Sequence, residues 1–221
     1  INTVIGHLWH ALPGAHFKRM FGPDHNPYVY ELLDQNADHV HWDTAEAWSE
    51  TKKGMSTSTD EAGGGHAHSG MMIYLGDNWP DVYRGRLFTV NLHGLRLNQD
   101  RLKRQGATYT GLHEADFLST TDPWFRAIEL IYGPDGGVYI ADWSDVGECH
   151  ENDGVHRTSG RIYKVRYGSP DVLPKALRRT AGPDGLAGQP NAQLVKLQLH
   201  ANDWYVRQAR QILQHRAARQ Q

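Results

Sequence analysis

One stretch, 133–167, most limits what this chain can fold into. It reads GPDGGVYIADWSD, continues through a loop rich in acids and histidine, and closes on RIYKVRYG. Gly-Pro-Asp-Gly-Gly is turn chemistry, because Pro134 presets φ while Gly136 and Gly137 are free to take positive φ. Val138 and Ile140, and then Ile162, Lys164 and Arg166 set against Tyr163, Val165 and Tyr167, alternate with period two. That alternation predicts two strands flanking a long loop.

Composition bounds the partners. Lys and Arg total 23 against 25 for Asp and Glu, a formal net charge of −2, so nothing asks for nucleic acid or an anionic membrane. There is no apolar run of membrane-spanning length and no secretory signal, and the first residue is Ile1, which suggests a processed or excised piece. Cys149 is the single cysteine, so no intrachain disulfide can form. Histidine, at 14, and tryptophan, at 7, are frequent for the length. The ordinary reading of any one histidine is a surface or hydrogen-bonding residue.

Residues 1–21 hold two apolar runs split by Leu12-Pro13-Gly14-Ala15, which predicts a hairpin with a Pro-Gly turn. Residues 22–27 read as a loop, and Tyr28 to Leu33 as a short helix or strand. Residues 43–65 are polar and end in three glycines, a long surface loop with a flexible centre at Met55 to Thr59. Strands are expected at Gly70 to Tyr74, Arg86 to Asn91 and Gly94 to Leu102, with a turn at Gly76 to Gly85 and an outer strand at Thr108 to Phe117. Similar strand and turn units recur at roughly 40 residues, the length a four-stranded propeller blade consumes. The expected fold is mainly β: blades of a six-bladed type of β-propeller over 1–168, a Pro/Gly-rich linker over 169–191, and a short α-helical extension over 192–221. There, Leu194, Leu197, Val206, Ala209, Ile212 and Leu213 fall at helical spacing, with Asn202-Asp203 as break and cap, as at the start of a helical repeat array.

The run from His66 to Tyr167 carries a resemblance. GHAHSGMMIYLGDNWPDVYRGRLFTVNLHG, DPWFRAIEL and GPDGGVYIADWSDVGECHENDGVHRTSGRIYKV resemble the membrane-bound dehydrogenase family of PVC-type haem-binding proteins. More distantly they are similar to the glucose/sorbosone and aldose-sugar dehydrogenases, propellers that use pyrroloquinoline quinone with calcium. The resemblance implies a sugar or alcohol substrate, remaining blades, HEAT-like helices, and a c-type haem domain marked Cys-x-x-Cys-His. It also implies a periplasmic or cell-envelope location. Cys149-His150 lacks the first cysteine of that haem motif, so haem is not expected in this chain. The resemblance places cofactor-binding positions at His93, Trp124, Arg126 and Asp142. His93 stands where quinone-binding members have Lys and Trp124 where they have the first Arg, and Arg126 alone matches. A tricarboxylate quinone needs several cations, so these departures argue against quinone binding. No catalytic base can be named.

Four histidines form two pairs. His39 with His41, and His66 with His68, sit two apart in extended backbone, so each pair presents imidazoles on one face. They are candidate ligands for Zn, Cu or Fe; the alternative is hydrogen bonding to Gly-rich backbone. The loop after Asp142 gathers Asp145, Glu148, Cys149, His150, Glu151, Asp153 and His156. Its carboxylates suit calcium and its Cys and His a softer transition metal, unless these side chains simply tie down the loop. Arg126 would clamp a carboxylate or sugar ring, or pair with Glu129 or Asp142. Trp79, Trp143 and Trp204 read as core or inter-blade packing rather than as substrate platforms. Two functions follow: part of a sugar- or alcohol-dehydrogenase-like propeller passing electrons to a haem domain elsewhere, or a non-catalytic propeller that binds a glycan or protein partner with structural metal.

Overall fold

The computed structural model describes residues 8–18, 26–37, 57–61, 63–64, 68–146, 158–168 and 185–219. The protein is mainly β, with two antiparallel sheets followed by short helices. The first sheet contains β1 (His68–Ile73), β2 (Arg86–Asn91), β3 (Arg96–Gln105) and β4 (Thr108–Ser119), neighbouring in chain order. The second contains β5 (Ala127–Tyr132), β6 (Val138–Asp142) and β7 (Arg161–Val165), again in chain order. The strands expected around 70–74, 86–91, 94–102, 108–117 and on both sides of the long loop are all present.

Elsewhere the chain departs from its local signals. Thr57–Glu61 is a short helix, α1, inside the stretch that reads as loop. Tyr28 to Leu33 forms neither helix nor strand apart from a bridge between Leu33 and Phe17. The Pro-Gly turn does form: Ala15 N–H donates to Leu12 O at 3.1 Å and Gly14 sits at φ 76°. At the C-terminal end, α2 (Asn191–Lys196) precedes a 3-10 turn at Leu197–Leu199 and then α3 (Asp203–Ala218).

Contacts divide the chain into two interleaved compact units. The first takes Ile1–Met72, Leu87–Glu129 and Asp142–Arg161. Leu87, Phe88, Val90 and Leu97 are buried in it, and the Phe88 and Phe117 rings meet edge to face at 5.4 Å. Burying a side chain such as Phe88 contributes roughly 2–3 kcal/mol. This unit also buries a polar network. Along the β3/β4 register, Asn98 opposes three residues of β4, Ala115 to Phe117, and this bulge lets Asp116 reach back across the ladder. Asn98 Nδ2 donates to Asp116 Oδ1 at 2.6 Å and to Gly63 O at 2.7 Å, while Asn91 Nδ2 donates to Gly63 O and Gly64 O. Arg96 completes it, bonded to Asp116 at 2.8 Å and to Asp60 of α1 at 2.7 Å. Burial pulls the Arg96 pKa down, but its two carboxylate partners outweigh that and leave it raised. The helix 57–61 is therefore fixed by partners far along the chain, which its own sequence does not announce.

The second unit takes Ile73–Arg86, Leu130–Ala141 and Ile162–Gln221. Its centre is the Gly-Pro-Asp-Gly turn. Gly136 N–H donates to Gly133 O at 3.0 Å and Gly133 N–H to Gly137 O at 2.9 Å, with Gly136 at φ 71°, a turn followed by a left-handed residue. The fully buried Tyr74 donates its hydroxyl to Gly136 O at 2.8 Å and accepts from the N–H groups of Asn78 and Trp79. Burial pushes its pKa up. Asp135 is ion-paired with Lys164 at 2.5 Å. Burial lowers the Lys164 pKa, yet its interactions with Asp135 and Tyr139 together outweigh burial and the net shift is upward.

Candidate functional site

At the end of β6 the chain turns through Asp142-Trp143-Ser144-Asp145, and this corner collects more of the predicted site residues than any other described place. Asp142 governs it. Its Oδ1 accepts from the backbone N–H of Arg126 at 2.8 Å and of Ser144 at 2.9 Å. Its Oδ2 accepts from Arg161 Nε at 2.8 Å and lies 2.7 Å from Arg161 Nη2. Three hydrogen bonds and the ion-pair contact of Nη2 satisfy this buried carboxylate. Ser144 is driven to φ 58°, a left-handed conformation that non-glycine residues avoid.

Two further bonds tie the corner to the segment before β5: Trp143 N–H donates to Arg126 O at 2.9 Å and Asp145 N–H to Trp124 O at 3.1 Å. Trp124 lies in the turn before β5, and Arg126 sits between that turn and the strand. Arg126 is buried and its guanidinium turns onto backbone: Nη1 bonds Pro123 O at 3.1 Å and Phe125 O at 2.9 Å, and Nη2 bonds Val146 O at 3.1 Å. Asp145 is buried as well.

Two residues of the corner carry no motif of their own and are missed by sequence reasoning, Asp122 and Arg161. Arg161 Nη1 donates to Asp122 Oδ2 at 2.7 Å, so one guanidinium spans two carboxylates. Asp122 Oδ1 also accepts from Trp124 N–H at 2.9 Å. That N–H first, and then Arg161, hold the Asp122 carboxyl below the usual carboxylate range. The one sequence signal was Asp122-Pro123, a turn-initiating pair.

The tryptophans divide. Trp79 is 6% exposed and stacks on Tyr74 at 4.6 Å, as expected of packing. Trp143 is 59% exposed, so it is not part of the core of the described residues.

The other site positions lie away from the corner in the sequence. His93 sits half-buried in the turn between β2 and β3. His68 is fully buried, its Nε2 3.1 Å from Asn98 Oδ1. Because Asn98 Nδ2 is spent on two oxygens, its Oδ1 is the acceptor and His68 Nε2 the donor, so a ligand role for His68 falls to Nδ1. His39, His41, His66, Glu148, His150 and His156 lie outside the described residues. Among the described residues no three His, Cys, Asp or Glu side chains gather as a metal would need. Among them, too, no helix is long and apolar enough to cross a membrane.

No curated protein matches the chain at a significant level. Among solved structures it is similar to an oxidoreductase described as a glucose dehydrogenase, from Thermus thermophilus. The identity is 25% and the TM-score 0.28, over 37% of this chain and 22% of that one. The chain thus spans less than a quarter of that protein's length. Residues 10–169 match the model of a family described as a domain of unknown function, DUF7133, and the chain belongs to that family.

Proposed function

We propose that the chain supplies blades of a β-propeller in a sugar- or alcohol-dehydrogenase-like protein, whose electrons would pass to a haem domain outside this chain. The observation that carries the reading is the strand order. Four strands and then three follow one another as neighbours in chain order, the meander a propeller blade is built from. The resemblance of the 66–167 motifs to quinoprotein dehydrogenases supplies the chemistry, and the similar solved structure adds no weight at its level of overlap. A small-molecule alcohol, a periplasmic or cell-envelope location and helices that begin a HEAT-like array belong to the same proposal.

The described residues do not make a cradle for a quinone's three carboxylates. Of the positions that resemblance assigns, Arg126 is the cation, and three of its hydrogen bonds go to backbone carbonyls. Asp142 likewise accepts three hydrogen bonds and is ion-paired with Arg161. That observation favours a second reading, a non-catalytic propeller that binds a glycan or protein partner with metal in a structural role. Dye-linked oxidation of aldoses and alcohols by the full chain, with and without pyrroloquinoline quinone and calcium, separates the two. Turnover supports the first; its absence in every mixture, with no quinone bound, leaves the second.

A further inference from the structure

Trp143 holds a large apolar surface in water although its neighbours on both sides, Asp142 and Ser144, are buried. The backbone beneath it is fixed by its own N–H on Arg126 O, by the carboxylate of Asp142 bonded at Ser144 N–H, and by Ser159 Oγ donating to Ser144 O at 3.2 Å. The left-handed Ser144 sets the direction in which the chain leaves. An aromatic carried on a fixed backbone loses less conformational entropy on binding than one on an untethered segment.

The same corner offers polar groups. Asp122 and Arg161 have side chains 35% and 33% exposed, and Arg161 joins Asp122 to Asp142, the residue next to Trp143. Asp122 accepts two hydrogen bonds, from Trp124 N–H and Arg161, which uses about half of a carboxylate's acceptor capacity. Asp122, Asp142 and Asp145 against Arg126 and Arg161 leave the corner net negative by one charge, which disfavours a phosphate or other anion. The complementary ligand has an apolar C–H face for the indole and hydroxyls that donate to a carboxylate.

We propose that Trp143 is the stacking platform of a pyranose-binding subsite, with the Asp122–Arg161 pair taking the ring hydroxyls. This rests on the carbohydrate side of the function proposed above and names the residues that would recognise the ring. The indole face carries negative potential and meets the slightly positive ring C–H groups, while an acyclic polyol presents no flat face to stack.

The test titrates the full chain with D-glucose, maltohexaose and mannitol by calorimetry, with saturation-transfer NMR reading which ligand protons touch the aromatic ring. Maltohexaose and glucose bind and mannitol does not. Trp143→Ala weakens binding about tenfold and Trp143→Phe less, as for an aromatic anchor. Asp122→Asn weakens it too, with unchanged melting of the Trp143 variants as the folding control. No pyranose binding at tens of millimolar, or equal affinity in Trp143→Ala, overturns the proposal. An indole covered instead by a second copy of the chain, seen as loss of a dimer in Trp143→Ala during sedimentation, also overturns it. The two proposals fail separately. Binding without oxidation sinks the dehydrogenase reading alone, and oxidation untouched by Trp143→Ala sinks the subsite alone.

Discussion

Arg161 Nε lies 2.8 Å from Asp142 Oδ2, joining the start of β7 to the end of β6. The carboxylate side chain is wholly buried and the guanidinium one-third exposed. Removing the cation leaves a buried charge held by the backbone donors of Arg126 and Ser144. Arg161→Met is expected to lower unfolding free energy by about 3 kcal/mol, the cost of an uncompensated buried carboxylate. Asp142→Asn with Arg161→Met should recover part of it. Urea denaturation of the single and double variants checks this; a loss under about 1 kcal/mol for Arg161→Met would contradict the clamp.

Tyr132 gives the second unit an alkaline limit. Burial, reinforced by Asp203 and opposed by Arg207, pushes its pKa up to about 12 from 10.0. The folded value exceeds the unfolded one, so the contribution is complete below pH 10 and is lost as pH rises through 12. By pH 11 the loss should reach about 1.4 kcal/mol. Tyr132→Phe should flatten this part of the stability profile, measured by denaturation at pH 9 and pH 11. An unchanged alkaline slope in the variant would refute the assignment.

Asn202 does two jobs with one amide. Its Oδ1 accepts from Trp204 N–H at 3.0 Å and caps α3, while Nδ2 donates to Gly133 O at 3.1 Å and Pro134 O at 3.2 Å. Asn202→Ala should cost about 3 kcal/mol, a cap plus two buried bonds. Asn202→Asp keeps the cap but turns a carboxylate oxygen toward two carbonyls. Thermal melts should therefore show it no better than Ala, whereas a pure capping role would leave it near the parent.

Gly136 is held by geometry on two counts. Its φ is 71°, and a Cβ there would come within 2.5 Å of Asn78 N. Gly106 has φ 59° but open space around it. Gly106→Ala should cost about 1 kcal/mol for the left-handed backbone alone, and Gly136→Ala clearly more because backbone must also move. Comparable melting temperatures for the two variants would show that the contact with Asn78 is slack.

What was legible in the sequence was local. Gly-Pro-Asp-Gly-Gly encodes its turn within five residues, alternation marks β6 and β7, and Asn202-Asp203 announces the start of α3 because a cap bonds two residues on. Partners that lie far along the chain were not legible. Arg161 meets Asp142 and Asp122 from 19 and 39 residues away, and no spacing rule joins them. Arg126 also bonds the carbonyls of Pro123, Phe125 and Val146, and its residue type alone does not announce them.

The sequence by itself determined a mainly β chain with helices at its end, since turn residues and hydrophobic period act over a few positions. Tertiary structure decided which polar groups are spent and which are displayed. Trp79 and Trp143 are the same residue type, yet one is covered and the other open. Burial depends on what folds over a residue, and that is set by pairing register and by a single left-handed serine, neither of which is written in the residue itself.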